Sequence, residues 1–165
     1  MRSQSGTKPK ILMIEDEVSF TETVALLLRE DSVEIVSAST GAAGLQRFKA
    51  SPYDFALIIL DYCLPDLKGT EVASTIRKLN PTQEILFATG HNDPGNLIDL
   101  LETGGGRGFI YKGRPTGEIR RQILALIQEY RTARRLIGDQ LEPSSLLEGL
   151  VSLDITKPNE IREAA

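Results

Sequence analysis

The chain has 165 residues, 41% hydrophobic and 25% charged, with a formal net charge of −4; this suits one globular core with a tail and gives no blanket attraction to nucleic acid or membrane surfaces. The single cysteine, Cys63, closes no intrachain disulfide, and the single histidine, His91, leaves no Cys/His spacing for zinc. The longest unbroken apolar run, Phe55 to Leu60, is far short of the roughly 18 residues that span a bilayer, and MRSQSGTKPK lacks an apolar signal core, so a cytoplasmic chain off the membrane is expected.

After a flexible N-terminus over 1–9, short β-like runs alternate with helical patterns. The runs are KILMI (10–14), EIVSA (34–38), FALIIL (55–60), EILFA (84–88) and GFIY (108–111). Between them apolar residues recur at helical spacing: Phe20, Val24, Leu27 and Leu28; Leu45 with Phe48; Val72, Ile76 and Leu79; Leu97, Leu100 and Leu101. Ile119, Ile123, Leu126, Ile127 and Tyr130 define a last helix that Gly138 is expected to stop. Strands apolar on both faces, each followed by a helix, predict an α/β fold with a doubly wound, five-stranded parallel sheet. The flavodoxin-like strand order 2-1-3-4-5 is the natural choice for five such units, and its ligand crevice lies at the carboxyl ends of strands one and three. A main domain over 10–137 and a helical C-terminal extension over 138–165 complete the expected organisation.

Glu15, Asp16 and Asp61 end those two strands. Three carboxylates converging on one crevice repel one another, so they need a divalent cation, a shared proton or solvent. Ligands that are all oxygen point to magnesium. Singly, an acid after a strand is more often a helix cap or a solvated loop residue; it is the convergence of three that argues for a site. Thr89 follows strand four and Lys112 follows strand five, bringing a hydroxyl and an ammonium to the same edge. This combination suits phosphoryl transfer, with Asp61 as candidate nucleophile and positive groups to hold the equatorial oxygens.

From about Lys10 to Tyr130 the sequence resembles the receiver domain of two-component response regulators, the CheY-like superfamily. The motifs are IEDE after strand one, LDYCLPDLKG with Pro65 four and Gly69 eight places beyond Asp61, ATG after strand four, and FIYKG at strand five. The resemblance implies that Asp61 accepts a phosphoryl group from a phosphohistidine on a sensor histidine kinase or phosphotransfer protein, forming an acyl phosphate. It implies Mg2+ bound directly by Asp16, through a water by Glu15, by an oxygen of Asp61 and by the backbone carbonyl of Cys63. Lys112 then pairs with one phosphoryl oxygen and the Thr89 hydroxyl with another, while Phe109 matches the switch aromatic that turns inward when Thr89 moves; Tyr111 is expected to face elsewhere. Such a chain is a phosphoacceptor signalling domain and no enzyme in the ordinary sense, catalysing only its own phosphorylation and dephosphorylation.

Three features depart from the pattern. Gly113 replaces the proline that usually follows the lysine, the run Gly104 to Gly108 loosens the start of strand five, and Phe109 lacks a switch tyrosine's hydroxyl. A cis bond at Gly113 is not expected, since a non-proline cis bond costs ~2.5–4 kcal/mol. Two other classes fit worse. A haloacid-dehalogenase-type phosphatase wants a second Asp two residues past the nucleophile, where Cys63 stands. A flavodoxin-like cofactor binder wants a phosphate loop where IEDEVSF would repel phosphate. The alternatives that stand are a phosphorylation-independent receiver-like docking module and a receiver fragment of a longer multidomain regulator.

Arg120, Arg121, Arg131, Arg134 and Arg135 line the last helix, and they read as a solvated basic face near a helix carboxyl end rather than a DNA-binding surface. The residues from Asp139 onward are fewer than the roughly 50 that an output domain needs. No direct nucleic-acid contact is expected, and signalling by protein contact is. Leu146, Leu147, Leu150, Val151 and Leu153 form an apolar stripe after Pro143, which is expected to be buried across a homodimer built on the last helix and the extension.

Overall fold

The computed structural model describes residues 8–90 and 106–137. In chain order the elements are β1 (Lys10–Ile14), α1 (Val18–Leu28), β2 (Glu34–Ala38), α2 (Gly41–Ala50), β3 (Phe55–Asp61), α3 (Gly69–Leu79), β4 (Ile85–Thr89), β5 (Gly108–Tyr111) and α4 (Thr116–Ile137). The strands form one sheet in the order β2-β1-β3-β4-β5, every pairing parallel, as the alternation of runs predicts. Strand limits differ slightly from the sequence reading: β3 runs on to include Asp61, and β4 lies one residue later and includes Thr89. Both polar residues thus hold ladder positions rather than following the strands. The helical pattern of Leu97, Leu100 and Leu101, His91, and the stripe from Leu146 to Leu153 lie outside the described residues.

Period-two alternation along the strands divides the core in two. Ile11, Met13, Leu57 and Ile59 meet Phe20, Val24 and Leu28 of α1 and Ile119, Ile123 and Ile127 of α4. Leu12, Ile14, Ile58 and Leu60 meet Phe48 of α2 and Val72, Ala73 and Ile76 of α3. A register shift between Lys10 and Ile11, opposite Phe55 and Leu57, lets Phe55 fall on the α2–α3 face while Leu57 falls on the other. The spacing of apolar residues identified these helix faces with one exception, Leu79, which is 39% exposed at the end of α3.

Local chemistry fixes the ends of the elements. Thr40 caps α2 by accepting from Ala43 N–H at 3.1 Å, the arrangement that favours Ser, Thr, Asp and Asn there. Asp66, far along the chain, accepts from Gly41 N–H at 2.8 Å and Ala42 N–H at 2.9 Å. These two bonds hold its carboxyl below the usual carboxylate range and tie the loop after β3 to the start of α2. α3 ends at Asn80, held extended because Pro81 follows it; its buried amide donates to Pro52 O at 3.0 Å. Gly44 is needed where α2 crosses β1, since a Cβ there would lie 2.4 Å from the Ile14 side chain.

The basic residues of α4 are largely engaged within the domain. Arg120 makes a two-pronged pair with Asp31 at 2.8 and 3.0 Å and donates to Leu27 O, and Arg131 donates to Asp31 O at 2.7 Å. These cations cover the carbonyl end of α1, where the helix dipole favours them. Arg134 lies over the Tyr130 ring. The apolar side of α4 packs against the sheet and α1, so the helix offers no broad uncovered apolar face among the described side chains, of which Leu136, 84% exposed, is the one large apolar group in solvent. No described helix is long and apolar enough to cross a membrane.

Candidate functional site

The site is built at the carboxyl edge of the sheet, where β1, β3, β4 and β5 end side by side. Glu15 follows β1 directly, and its N–H donates to Ala38 O at 2.9 Å, extending the ladder to β2 by one bond. Asp61 is the last residue of β3 and pairs with Ala88. The next bond, from Tyr62 N–H to Ala88 O at 3.0 Å, keeps the chain straight past Asp61. Gly69 returns against the same point: its N–H donates to Tyr62 O at 2.9 Å, and a Cβ there would meet the Asp61 carbonyl oxygen at 2.4 Å. Any other residue in place of Gly69 would displace the backbone that carries Asp61, which gives the glycine eight places on a physical reason.

Parallel neighbours in the order β1-β3 bring the three acids together, as their positions in the sequence predict. Glu15, Asp16 and Asp61 each offer a carboxylate oxygen within 4.8 Å of the others. Glu15 and Asp61 are buried, whereas Asp16 is exposed. Lys112, directly after β5, reaches back over this edge. Its Nζ donates to Glu15 Oε1 at 2.7 Å and Asp61 Oδ2 at 2.9 Å and lies 3.5 Å from Glu17 Oε2. Repulsion among the acids is therefore offset first by an ammonium. The other Asp61 oxygen, Oδ1, accepts from the backbone N–H of Cys63 at 3.0 Å.

The electrostatics follow from burial. Glu15 is pushed up from 4.5 to about 7, chiefly because burial penalises its charged form and Asp61 stands beside it, against the lowering effect of the Lys112 bond. Lys112 is desolvated too, yet the bonds to Glu15 and Asp61 outweigh that and raise its ammonium above the usual value. The two directions are consistent: the lysine gains from two acids, while Glu15 gains from one lysine and loses to Asp61 and to desolvation. Burial and the neighbouring Asp61 thus favour the protonated form of Glu15, while the ammonium of Lys112 stands between the two buried acids.

The donor set also fits a hard divalent cation. The cluster offers oxygen ligands only, and Glu15 Oε2 is buried with no hydrogen-bond partner, an arrangement that costs free energy unless something compensates it. Glu15, Asp16 and Asp61 are the side chains that could hold such an ion.

Thr89 is buried at the end of β4, level with Tyr111 of β5, and its carbonyl accepts from Lys112 N–H at 2.9 Å. That bond sets where the lysine leaves the strand. Phe109 pairs with Phe87, is half-buried, and packs on the α2–α3 face, while Ile110 packs on the α1–α4 face. By the period of two, Tyr111 stands on the same side of the sheet as Phe109. The Lys112–Gly113 bond is trans. Three contributors were not singled out from the sequence. Glu17 donates its N–H to Glu15 Oε1 at 3.0 Å, the Phe20 ring lies under the Lys112 ammonium, and Asp66 anchors the loop after β3. Glu17 was visible in IEDE, and Asp66 in the turn after Pro65; Phe20 carries no signal that separates it from an ordinary core residue.

Comparison with known proteins agrees with this arrangement. Residues 11–124 match the family model for the response regulator receiver domain. The chain is 26% identical over 160 residues to the probable transcriptional regulatory protein TcrX of Mycobacterium tuberculosis, covering 97% of this chain and 67% of that protein. It is 31% identical over 126 residues to the probable transcriptional regulatory protein NarL of the same species, covering 75% of this chain and 57% of NarL. The chain thus spans between half and about two thirds of the length of these two relatives. In fold it is similar to the signal receiver domain of a putative Luxo repressor protein from Vibrio parahaemolyticus, with a TM-score of 0.71 at 22% identity, covering 79% of this chain and 98% of that one. With a family match over most of its length and a parallel sheet in the order β2-β1-β3-β4-β5, the chain belongs to the response regulator receiver domain family.

Proposed function

We propose that this receiver domain takes a phosphoryl group on Asp61 from the phosphohistidine of a sensor histidine kinase or phosphotransfer protein. One observation carries the reading: a buried carboxylate at a strand end, held by Lys112 at 2.9 Å with Glu15 and Asp16 alongside and Thr89 buried at the end of the neighbouring strand. In the transfer an Asp61 carboxylate oxygen attacks phosphorus, the phosphorus–nitrogen bond to the imidazole breaks, and its electron pair stays on the imidazole nitrogen. An acyl phosphate results. Lys112 shifts from its carboxylate pairing to a phosphoryl oxygen, so that a charge already in place meets the incoming one. The Thr89 hydroxyl bonds a second phosphoryl oxygen, and Phe109 turns inward into the space that Thr89 leaves.

Mg2+ would be held by Asp16, Asp61, Glu15 and the backbone carbonyl of Cys63, and when bound it neutralises the oxygens of acids and phosphoryl group alike. The chain's own catalysis is confined to forming and hydrolysing this acyl phosphate. The receiver unit is residues 10–137, with 138–165 as an extension that joins α4 in a homodimer, and the compartment is the cytoplasm. Output is through protein contacts, because Arg120, Arg131 and Arg134 of α4 are engaged within the domain. A second reading, the receiver portion of a longer regulator, is favoured by the 67% and 57% of TcrX and NarL that the chain spans.

Incubation with acetyl phosphate and magnesium, followed by intact-mass analysis, tests the assignment. One added phosphoryl group is expected in the wild type and none in Asp61→Asn; equal labelling of the variant on another residue overturns it.

A further inference from the structure

Lys112 is aimed by its surroundings. Gly113 after it adds no side chain to limit the backbone, so the direction of the ammonium must come from what it touches. Three of those groups are the carboxylates of Glu15, Asp61 and Glu17. The fourth is an aromatic face: Nζ lies 5.2 Å from the centroid of the Phe20 ring. The carboxylates are the groups whose partners must change when a phosphoryl group arrives. Phe20 is not; it is 6% exposed in the core formed by α1, α4 and the sheet, and packing against that core fixes its ring. The Lys112 side chain is 13% exposed, a setting dry enough for the negative face of a ring to hold a cation.

We infer that Phe20 is a positioning residue for phosphoryl transfer: its ring holds the Lys112 ammonium toward Asp61 and keeps water from the lysine's apolar side. A leucine of similar bulk would fill the core without supplying the ring's charge distribution. The inference rests on Asp61 being the phosphoacceptor.

The test uses the full chain with acetyl phosphate and magnesium. Wild type, Phe20→Leu and Phe20→Tyr are compared, each also in a Lys112→Met background, with thermal midpoints recorded for all. Phe20→Leu is expected to label roughly three- to ten-fold more slowly, the rate equivalent of a partly desolvated cation–π contact, and Phe20→Tyr to recover the wild-type rate. In the Lys112→Met background the leucine is expected to change nothing, because the group it acts through is gone. Equal slowing in both backgrounds assigns the effect to core packing and overturns the inference, as does a Phe20→Leu rate equal to wild type. The ε-methylene proton resonance of Lys112 gives a second reading: an upfield ring shift in the wild type, kept in Phe20→Tyr and lost in Phe20→Leu. An unshifted wild-type resonance overturns the contact alone, whereas a wild type that takes up no phosphoryl group overturns the Asp61 assignment and this inference with it.

Discussion

Lys112 Nζ lies 2.9 Å from Asp61 Oδ2 and 2.7 Å from Glu15 Oε1, across sequence separations of 51 and 97 residues. One ammonium is therefore shared by two buried acids, one just after β1 and the other at the end of β3. Removing either partner of a buried pair leaves charge uncompensated, at a cost of ~3–5 kcal/mol when burial is complete.

For Lys112→Ala the expected loss of stability is about 2 kcal/mol in the presence of a chelator, less than for a fully buried pair because Glu15 can take up a proton. Magnesium should restore much of it by standing in for the missing positive charge. Thermal unfolding with and without the metal measures this, and an identical loss in both conditions would count against a cation site at the acids.

Glu15 makes stability depend on pH in a definite direction. Its folded-state value is about 7 against 4.5 unperturbed, so between these values the folded chain holds a proton that the unfolded chain has released. Stability contributed by this group is full below about pH 4.5 and falls as pH rises to about 7, by about 3 kcal/mol at 1.36 kcal/mol per unit. Denaturant melts from pH 4.5 to 8 in chelator should show that decline in the wild type and lose it in Glu15→Gln. The same slope in both proteins would show that another group titrates.

Asp16 is the exposed member of the cluster, with a carboxylate oxygen within 4.8 Å of those of Glu15 and Asp61, and in the proposed function it binds the metal. Asp16→Ala should lower the magnesium-dependent labelling rate roughly a hundredfold while leaving the thermal midpoint unchanged or raised, since one repelling carboxylate is gone. A variant that labels at the wild-type rate, with or without chelator, would remove the metal role from this residue.

Cys63 is exposed two residues beyond Asp61 and its N–H bonds an Asp61 oxygen, so on the proposed reading its side chain stands beside the approach of water to the acyl phosphate. A thiol orients water poorly, so self-dephosphorylation should be slow. Replacing it with asparagine, which can donate and accept, is expected to speed decay by a factor on the order of ten, a fraction of what a positioned acid or base supplies. Decay of labelled wild type and Cys63→Asn gives the comparison, and an unchanged or slower rate in the variant would dispose of the idea.

The apolar stripe from Leu146 to Leu153 predicts association, because a patch of that kind left in water costs ~25 cal/mol per Å2 relative to burial. Light scattering on the full chain should give a dimer and on a chain ending at Gly138 a monomer. Monomers in both, with and without phosphorylation, would refute the dimer.

The sequence by itself determined the fold and the convergence of Glu15, Asp16, Asp61 and Lys112 on one edge of the sheet. Buried parallel strands must be apolar on both faces, and that leaves a pattern, KILMI or FALIIL, that a linear reading can find. Acids at the ends of two such runs could then be assigned to one edge, because parallel strands end on the same side and the doubly wound order sets the first and third strands next to each other. Tertiary structure alone decided how the site is held. That Asp61 and Thr89 lie inside their strands depends on ladder bonds to neighbours, and that Asp66 caps α2 depends on a contact with Gly41 across 25 residues. Glu15 reaches about 7 only because folding removes its water and sets Asp61 beside it. Phe20 shows the limit most plainly: its spacing with Val24 marks it as core, and nothing linear distinguishes a ring that packs from a ring that also carries the ammonium of Lys112. Periodicity records which side of a helix is buried, whereas the partner a side chain meets there is chosen by elements far away in the chain.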